Sequence, residues 1–405
     1  MRYDVAIVGA GPAGAASAIH LARAGLRVVV LDRSAFPRDK PCAEYLSPAA
    51  EPLLRALGIG ESLDAISPHR LRGFRIYAPD GRMIQGDFAG TRDRDGHVIY
   101  ETGMVIRRLQ LDAAIVEGAR RAGVEVRERW RVGHIERVAS GYRAHPAVQG
   151  EPVEARLLVA ADGVHSAIAR RLGLHVTRRM RKIGLVGHIR GITDLDEYGE
   201  MHVAGRRYVG VAPLEPGERN ALCNVAMVVD EARDGRSLAG KLDEFLLRSL
   251  HTFPRLRGRL DSLHLERRTL AIGRLSVHAR RLSDAHLLLV GDATGYYDPF
   301  TGEGIYRALQ SARLMADIAL PALARDDLSA TALGAYDRSY HETFRGKHTV
   351  EQVFQLAVQT PGLMNHIARV LQGRKSMADT MIAVTGDFLP TSAVLRPGYL
   401  LRLLV

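Results

Sequence analysis

Apolar runs and helix-spaced stretches alternate from the first residues onward. Tyr3 to Val8 is a short, mainly apolar run. Ala15 to Ala24 is a small-residue stretch of helical length, and Leu26 to Leu31 is a second apolar run that ends at Asp32. Short apolar runs joined through a helix predict parallel strands buried on both faces. A probable-helix pattern at Pro48 to Leu57 stops at Gly58, and Arg70 to Ile84 alternates apolar and polar residues around Pro79-Asp80-Gly81, which predicts a hairpin. Leu109, Ala113 and Val116 set a helical period over Val105 to Ala122. Val124 to Val126 and Val132 to Val138 read as strands, and Leu157 to Ala160 as a buried strand that delivers Ala161-Asp162-Gly163.

The texture changes between about Thr177 and Ser276. Strand-like runs at Gly184 to Ile189, Tyr208 to Ala212 and Cys223 to Val229 predict a sheet, and Leu238 to Leu250 predicts an amphipathic helix. Leu287 to Val290 then resumes the buried-strand pattern and ends in Gly291-Asp292. Gly304 to Leu320 predicts a helix, and beyond Ala330 the chain reads as mostly helical. The expected fold is α/β. A Rossmann-like domain (1–70, 104–176 and 277–330) carries an inserted α+β substrate domain (71–103 and 177–276), followed by a helical C-terminal region (331–405).

The turn between the first strand and helix sharpens this picture. Gly9-Ala10-Gly11-Pro12-Ala13-Gly14 follows a strand, opens a helix, and is followed by a strand and an acidic residue, the order a dinucleotide site needs. Gly9 permits the tight turn, Gly11 lets the backbone approach a pyrophosphate, and Gly14 lets helix and strand pack closely. Free N–H groups at the helix start bind phosphate, and Asp32 accepts from ribose hydroxyls.

Composition narrows the class. The chain has 405 residues, 46% of them hydrophobic, and a net charge of +11. That charge invites a nucleic-acid reading. However, only five of the 56 basic residues are Lys, and Arg178-Arg179, Arg206-Arg207, Arg267-Arg268 and Arg280-Arg281 are scattered without interleaved aromatics. A solvated basic surface is expected, with no nucleic-acid partner. Cys42 and Cys223 are too few for a disulfide framework, and no Cys/His spacing suits a metal. No stretch approaches the ~20 apolar residues of a membrane span. The chain begins directly with a strand, so no signal peptide and a cytoplasmic location are expected.

Three segments together carry a family resemblance. They are Gly9 to Asp32, Ala161-Asp162-Gly163-Val164-His165-Ser166 with Arg170, and the run from Gly291-Asp292-Ala293-Thr294 through Pro299 to Gly302-Glu303-Gly304-Ile305. In order and spacing they resemble the FAD-dependent para-hydroxybenzoate-hydroxylase-like superfamily, which includes aromatic hydroxylases, flavin-dependent halogenases and geranylgeranyl reductases. The resemblance implies an FAD-binding domain of the glutathione-reductase type, with Gly9, Gly11, Pro12, Ala13, Gly14, Asp32 and Arg33 at the adenosine and phosphate end. Gly291 and Asp292 would lie at the ribityl chain. Pro299, Gly302, Glu303, Gly304 and Ile305 would bring a helix N-terminus to the flavin ring, where its positive end stabilises the reduced anion. Asp162 and Gly163 are tied in the family to cofactor contacts and nicotinamide use; a helix cap is the other reading of Asp162. Arg108 resembles an arginine that reaches FAD from a helix start, or is a surface residue beside Arg107.

The loop Pro37-Arg38-Asp39-Lys40-Pro41-Cys42-Ala43-Glu44-Tyr45 looks like that of the geranylgeranyl reductases, where Cys-Gly-Glu is usual. It adds Arg38 and Cys42 to the cofactor residues, although Cys42 reads equally as a small buried hydrophobe. The reductases' Tyr-x-Trp-x-Phe-Pro strand has only Tyr208-Val209-Gly210-Val211-Ala212-Pro213 as its counterpart, and the lone tryptophan, Trp130, lies elsewhere. The resemblance implies an NAD(P)H-dependent FAD oxidoreductase acting on a lipophilic small molecule. A single-component monooxygenase is expected first, a geranylgeranyl-reductase-like enzyme reducing C=C bonds second, and a non-catalytic flavoprotein third. Proton donors for the second are Cys42, Tyr45, Tyr208 and Tyr296. The last residues, Val394 to Val405, are expected to dock as a terminal helix or to rest on a membrane surface.

Overall fold

The computed structural model describes residues 2–88, 91–92, 98–99, 102–215, 217 and 220–404. Residues 89–90, 93–97 and 100–101 of the 71–103 segment, Val405 and the side chains of Arg178-Arg179 lie outside the described residues.

Arg2–Val8 is the centre of the first sheet. It pairs in parallel with Val28–Leu31 on one side and with Val153–Ala160 on the other. Glu125–Arg127 extends the sheet beyond Val28–Leu31. Val153–Ala160 divides its outer edge between two partners. Its first half takes the antiparallel hairpin Val132–Val138 and Gly141–Pro146, and its last half pairs in parallel with Leu287–Leu289. Alternate residues face opposite ways. Val5 and Ile7 pack under the helices Pro12–Arg23, Arg108–Arg121 and Gly304–Ala324, while Ala6 and Val8 meet Ile135, Tyr142 and Ile168 on the other face. The parallel strands end together, which brings Gly9, Asp32, Asp162 and Asp292 to one rim, as expected for a Rossmann-like sheet.

A second, nine-stranded sheet faces that rim. Its spine is His175–Ile192, 18 residues where the sequence suggested only Gly184 to Ile189. The spine pairs antiparallel with Cys223–Asp230 and Leu270–Ala279. Arg207–Pro213, Tyr198–Ala204, Gly73–Tyr77 and Met83–Asp87 extend the path on one side and Gly295–Tyr296 on the other, while Leu260–Leu265 pairs with the end of the spine. Cys223, Val225, Met227 and Val229 pack on Phe245, Leu246 and Leu256 of a helical layer, so Asn224, Ala226 and Val228 face the opposite way. The helix expected over Leu238 to Leu250 starts at Leu242, after Gly240 at φ +71°, and a further helix, Glu231–Leu238, precedes it. The helix expected from Val105 begins at Arg108, because Val105 is claimed by a small sheet in which it pairs with Tyr45 and His69.

The C-terminal region is helical, as expected, and lies on the cavity side of the second sheet. Ile76, Ile84, Met201 and Val203 of the sheet share a core with Val358, Ala368, Leu371 and Ile382. The Pro397–Leu404 helix is docked through buried Tyr399, whose hydroxyl donates to the Met377 carbonyl at 2.8 Å. Leu400 and Leu401 face outward. Among the described residues no helix is long and apolar enough to cross a membrane.

Candidate cofactor and substrate site

The glycine-rich turn is held in one shape by contacts that no larger residue could make. Gly9 has φ +102°, and a Cβ there would lie 2.4 Å from the Ala161 carbonyl oxygen. Asp32 ties the turn to the second strand, accepting from the Ala10 N–H at 2.7 Å and from the Ser34 N–H at 2.8 Å. The Pro12–Arg23 helix starts at Gly11 without a side-chain cap, so its first N–H groups remain free. A Cβ on Gly11 would meet only the Arg38 guanidinium, at 3.8 Å. The helix start therefore opens onto space. A groove continues from it along Asp32, Arg33, Arg38, Lys40, Asp162 and Gly163.

An inner cavity runs on from Pro12 and Ala13 past Asp292, Pro299, Gly302, Gly304 and Ile305. The Gly304–Ala324 helix begins here, again without a side-chain cap. Gly184, Val186, Ala226 and Val228 of the second sheet form the opposite wall, and Cys42, Tyr45 and Tyr296 lie on the perimeter. Burial pushes the phenols of Tyr45 and Tyr296 well above their ordinary value, Glu303 adding to the first and Asp292 and Asp298 to the second.

Glu44 fixes the loop that carries Cys42. Its carboxylate, fully buried, accepts from the Arg108 N–H at 2.9 Å, from Asn224 Nδ2 at 2.8 Å and from His188 Nε2 at 2.8 Å. Asn224 Nδ2 also donates to the Cys42 carbonyl at 3.0 Å, and Arg267 Nε donates to His188 Nδ1 at 3.2 Å. With Nδ1 accepting, His188 carries its proton on Nε2. Burial alone would raise the Glu44 carboxyl; the hydrogen bonds from His188, the Arg108 N–H and Asn224 outweigh it and hold the group below the usual carboxylate range. Of these partners, His188 and Asn224 were not singled out from the sequence. The signal was available in the strand alternation, which puts Lys182, Gly184, Val186 and His188 on one face of the spine.

Other expected residues are placed differently. Arg108 is buried, not on the surface; its guanidinium is paired with Asp112 at 2.7 Å and lies against Cys42. Arg38 shares Asp112 at 3.1 Å. Asp162 caps the helix Ala167–Arg171 by accepting from the Ala167 and Ile168 N–H groups, and its Oδ1 is buried without a partner. Gly14 packs beneath the turn and does not reach the cavity. Glu303 turns from the inner cavity to pair with Lys347 at 3.3 Å, while its neighbours Gly302 and Gly304 line the wall. Tyr208, expected as a proton donor, lines neither this cavity nor the next. Its hydroxyl donates to Asp298 at 2.5 Å, and Asp298 is paired with Lys182 at 2.7 Å.

A second cavity shares Ala43, Tyr45, Pro299 and Gly302 with the first. Phe74, Ile76, Met201, Ala212, Phe300 and Ile382 make its walls mostly apolar. Gly210 and Ala212 on this wall stand where the reductase-type strand would carry tryptophan and phenylalanine.

The glycine cradle, two uncapped helix starts and the continuous cavity between them fit FAD. The adenosine and phosphate end would lie at Asp32 and the Pro12–Arg23 helix, and the flavin between Asp292, Tyr296 and the Gly304–Ala324 helix. The model of the FAD binding domain family matches residues 2–346. Conditioned medium factor receptor 1 of Dictyostelium discoideum is 29% identical, the match covering 98% of this chain and 79% of that protein. A digeranylgeranylglycerophospholipid reductase of Methanosphaerula palustris is 31% identical, covering 85% and 83%. The structure of a geranylgeranyl bacteriochlorophyll reductase-like protein from Thermoplasma acidophilum superimposes with a TM-score of 0.79 at 22% identity, over 98% of this chain and 96% of that one, which is a likeness of fold. With 345 residues matched by one cofactor-domain model, the chain belongs to the FAD-binding-domain family and is an FAD-dependent oxidoreductase.

Proposed function

We propose that the chain reduces carbon–carbon double bonds of a lipophilic small molecule, with NAD(P)H as the source of electrons. The observation that carries this reading is the Cys42-Ala43-Glu44 loop. It forms part of the inner cavity wall and is locked there by the buried Glu44 contacts to His188, Asn224 and Arg108. This is the segment in which the sequence looks like the geranylgeranyl reductases, and the M. palustris relative is named a reductase.

When bound, FAD supplies the hydride for one carbon of the double bond. The chain's own part is to hold that bond against apolar walls, to keep water out, and to deliver a proton to the other carbon. Cys42, Tyr45 and Tyr296 are the thiol and phenols on the wall, and burial keeps both phenols protonated at neutral pH.

Oxygen transfer was expected first because the aromatic strand is missing and because oxygen transfer is widespread in the superfamily that the sequence resembles. The residues that replace its rings, Gly210 and Ala212, reshape the second cavity and leave the Cys42 loop untouched. That absence therefore argues about substrate shape and not about reaction type. The test is anaerobic. Dithionite-reduced enzyme mixed with geranylgeraniol should regain oxidised-flavin absorbance and give a product heavier by two hydrogen atoms. A product that forms only in air and is heavier by one oxygen atom would sink the proposal.

A further inference from the structure

Three buried polar atoms around the second cavity have no partner in the protein: the Tyr45 hydroxyl, Thr301 Oγ1 and Asn224 Oδ1. Their residues are 6%, 6% and 1% exposed. The Asn224 amide cannot be turned round to hide the problem. Its Nδ2 donates to the Cys42 carbonyl and to the Glu44 carboxylate, both obligate acceptors, so Oδ1 is left needing a donor. Glu200, on the same wall, is already paired with Arg259 at 2.9 Å and His202 at 2.9 Å. Buried polar groups in native proteins nearly always find partners. Three such groups around one mostly apolar cavity are placed to meet a bound molecule.

The space is also accounted for. Gly210 is not required by its backbone; a Cβ there would meet nothing nearer than the Met201 methyl at 3.6 Å. Small residues at 210 and 212 leave room on the site face of the Arg207–Pro213 strand, next to the orphan groups.

We infer that the second cavity receives the oxygenated end of the substrate, a neutral hydroxyl or phenol on an apolar body. The ligand O–H donates to Asn224 Oδ1, and its oxygen accepts from Tyr45 or Thr301. No Lys or Arg stands among the described residues of the wall, and the Glu200 carboxylate does, so phosphate and carboxylate are disfavoured. A plain hydrocarbon end leaves all three groups unpaired. This inference rests on the reading above only in that a lipophilic substrate lies beside the cofactor cavity.

The probes are geraniol and 2,6-dimethyl-2,6-octadiene, the same chain with and without its hydroxyl. Each is titrated into oxidised, FAD-loaded wild type, Thr301→Val and Tyr45→Phe, with binding read by calorimetry and by perturbation of the flavin spectrum. Wild type should prefer geraniol by about tenfold or more. Each variant should lower that preference several-fold, and Thr301→Val, whose residue does not line the inner cavity, should keep its FAD content unchanged. Equal affinity for the two probes, binding of neither, or an unmoved preference in both variants overturns the inference. A geraniol preference without turnover of any alkene leaves it standing and removes the reductase reading. Alkene turnover with equal affinities does the reverse.

Discussion

A Cβ on Gly14, in the cofactor cradle, would stand 1.9 Å from the Gly9 carbonyl oxygen, whereas on Gly210, beside the second cavity, it would find its first neighbour at 3.6 Å. Both glycines serve the same site, one beneath its cradle and one on a cavity wall, yet only the first is imposed by the fold. The cradle is built by backbone approaching backbone, and its residue types follow from sterics. The second cavity is built by leaving side chains out. The first kind of glycine reports a cofactor; the second reports the shape of something still to be bound.

The largest effect should come from forcing the cradle. Gly14→Val drives a side chain into backbone that cannot retreat, and the cost should exceed ~3 kcal/mol, enough to lose folded protein. Gly11→Val should fold, because the space beside Gly11 is open, but yield colourless protein. A thermal melt together with flavin absorbance separates the two outcomes, and a yellow Gly11→Val protein would break the assignment of that space to FAD.

Next in size is the lock between the two regions. Glu44→Ala strands Asn224, His188 and the Arg108 N–H, which should cost about 3 kcal/mol in urea unfolding. The native Glu44 carboxyl is held low, so its contribution is complete above the unfolded value and is lost as the pH falls through the native one. The urea midpoint of wild type should therefore drop more steeply in acid than that of Glu44→Gln. Parallel acid profiles would remove Glu44 from the account.

Smaller effects sharpen the contrast at Gly210. Gly210→Ala should change stability by less than ~1 kcal/mol. Gly210→Trp should keep FAD and abolish geraniol binding by filling the second cavity, and retained affinity would show that the ligand goes elsewhere. Tyr208→Phe should cost only about 1 kcal/mol and leave flavin content and ligand binding unchanged, because its hydroxyl serves Asp298 and not the cavity.

Residues placed by sterics were legible from the chain alone. The turn, the first two strands and Asp32 lie within one short stretch, and each has a residue type that its geometry demands. The same holds for Gly291-Asp292 and the helix start at Gly304. The spine strand was foreshortened in the sequence because its polar first half, ending at Lys182, breaks the apolar run. Lys182 is buried all the same, matched by Asp298 and by Gln355, far along the chain. The Glu44–His188–Asn224 cluster was invisible for a related reason. Its members come from a loop and two strands of different hairpins, and only pairing brings them within 3 Å. Tyr208 misled because a tyrosine on a cavity-side strand reads as a donor until its partner is seen.

The family match ends at residue 346, but the second cavity does not. Ile382 and Thr385, from the Lys375–Thr385 helix, close one of its sides. That helix presses so tightly on the Met83–Asp87 strand that a Cβ on Gly86 would lie 2.4 Å from the Ile382 side chain. One side of the proposed substrate pocket is thus built by a segment beyond the matched 2–346 region. A change confined to that one helix can reshape the pocket while the cofactor cavity, which none of its residues line, stays as it is.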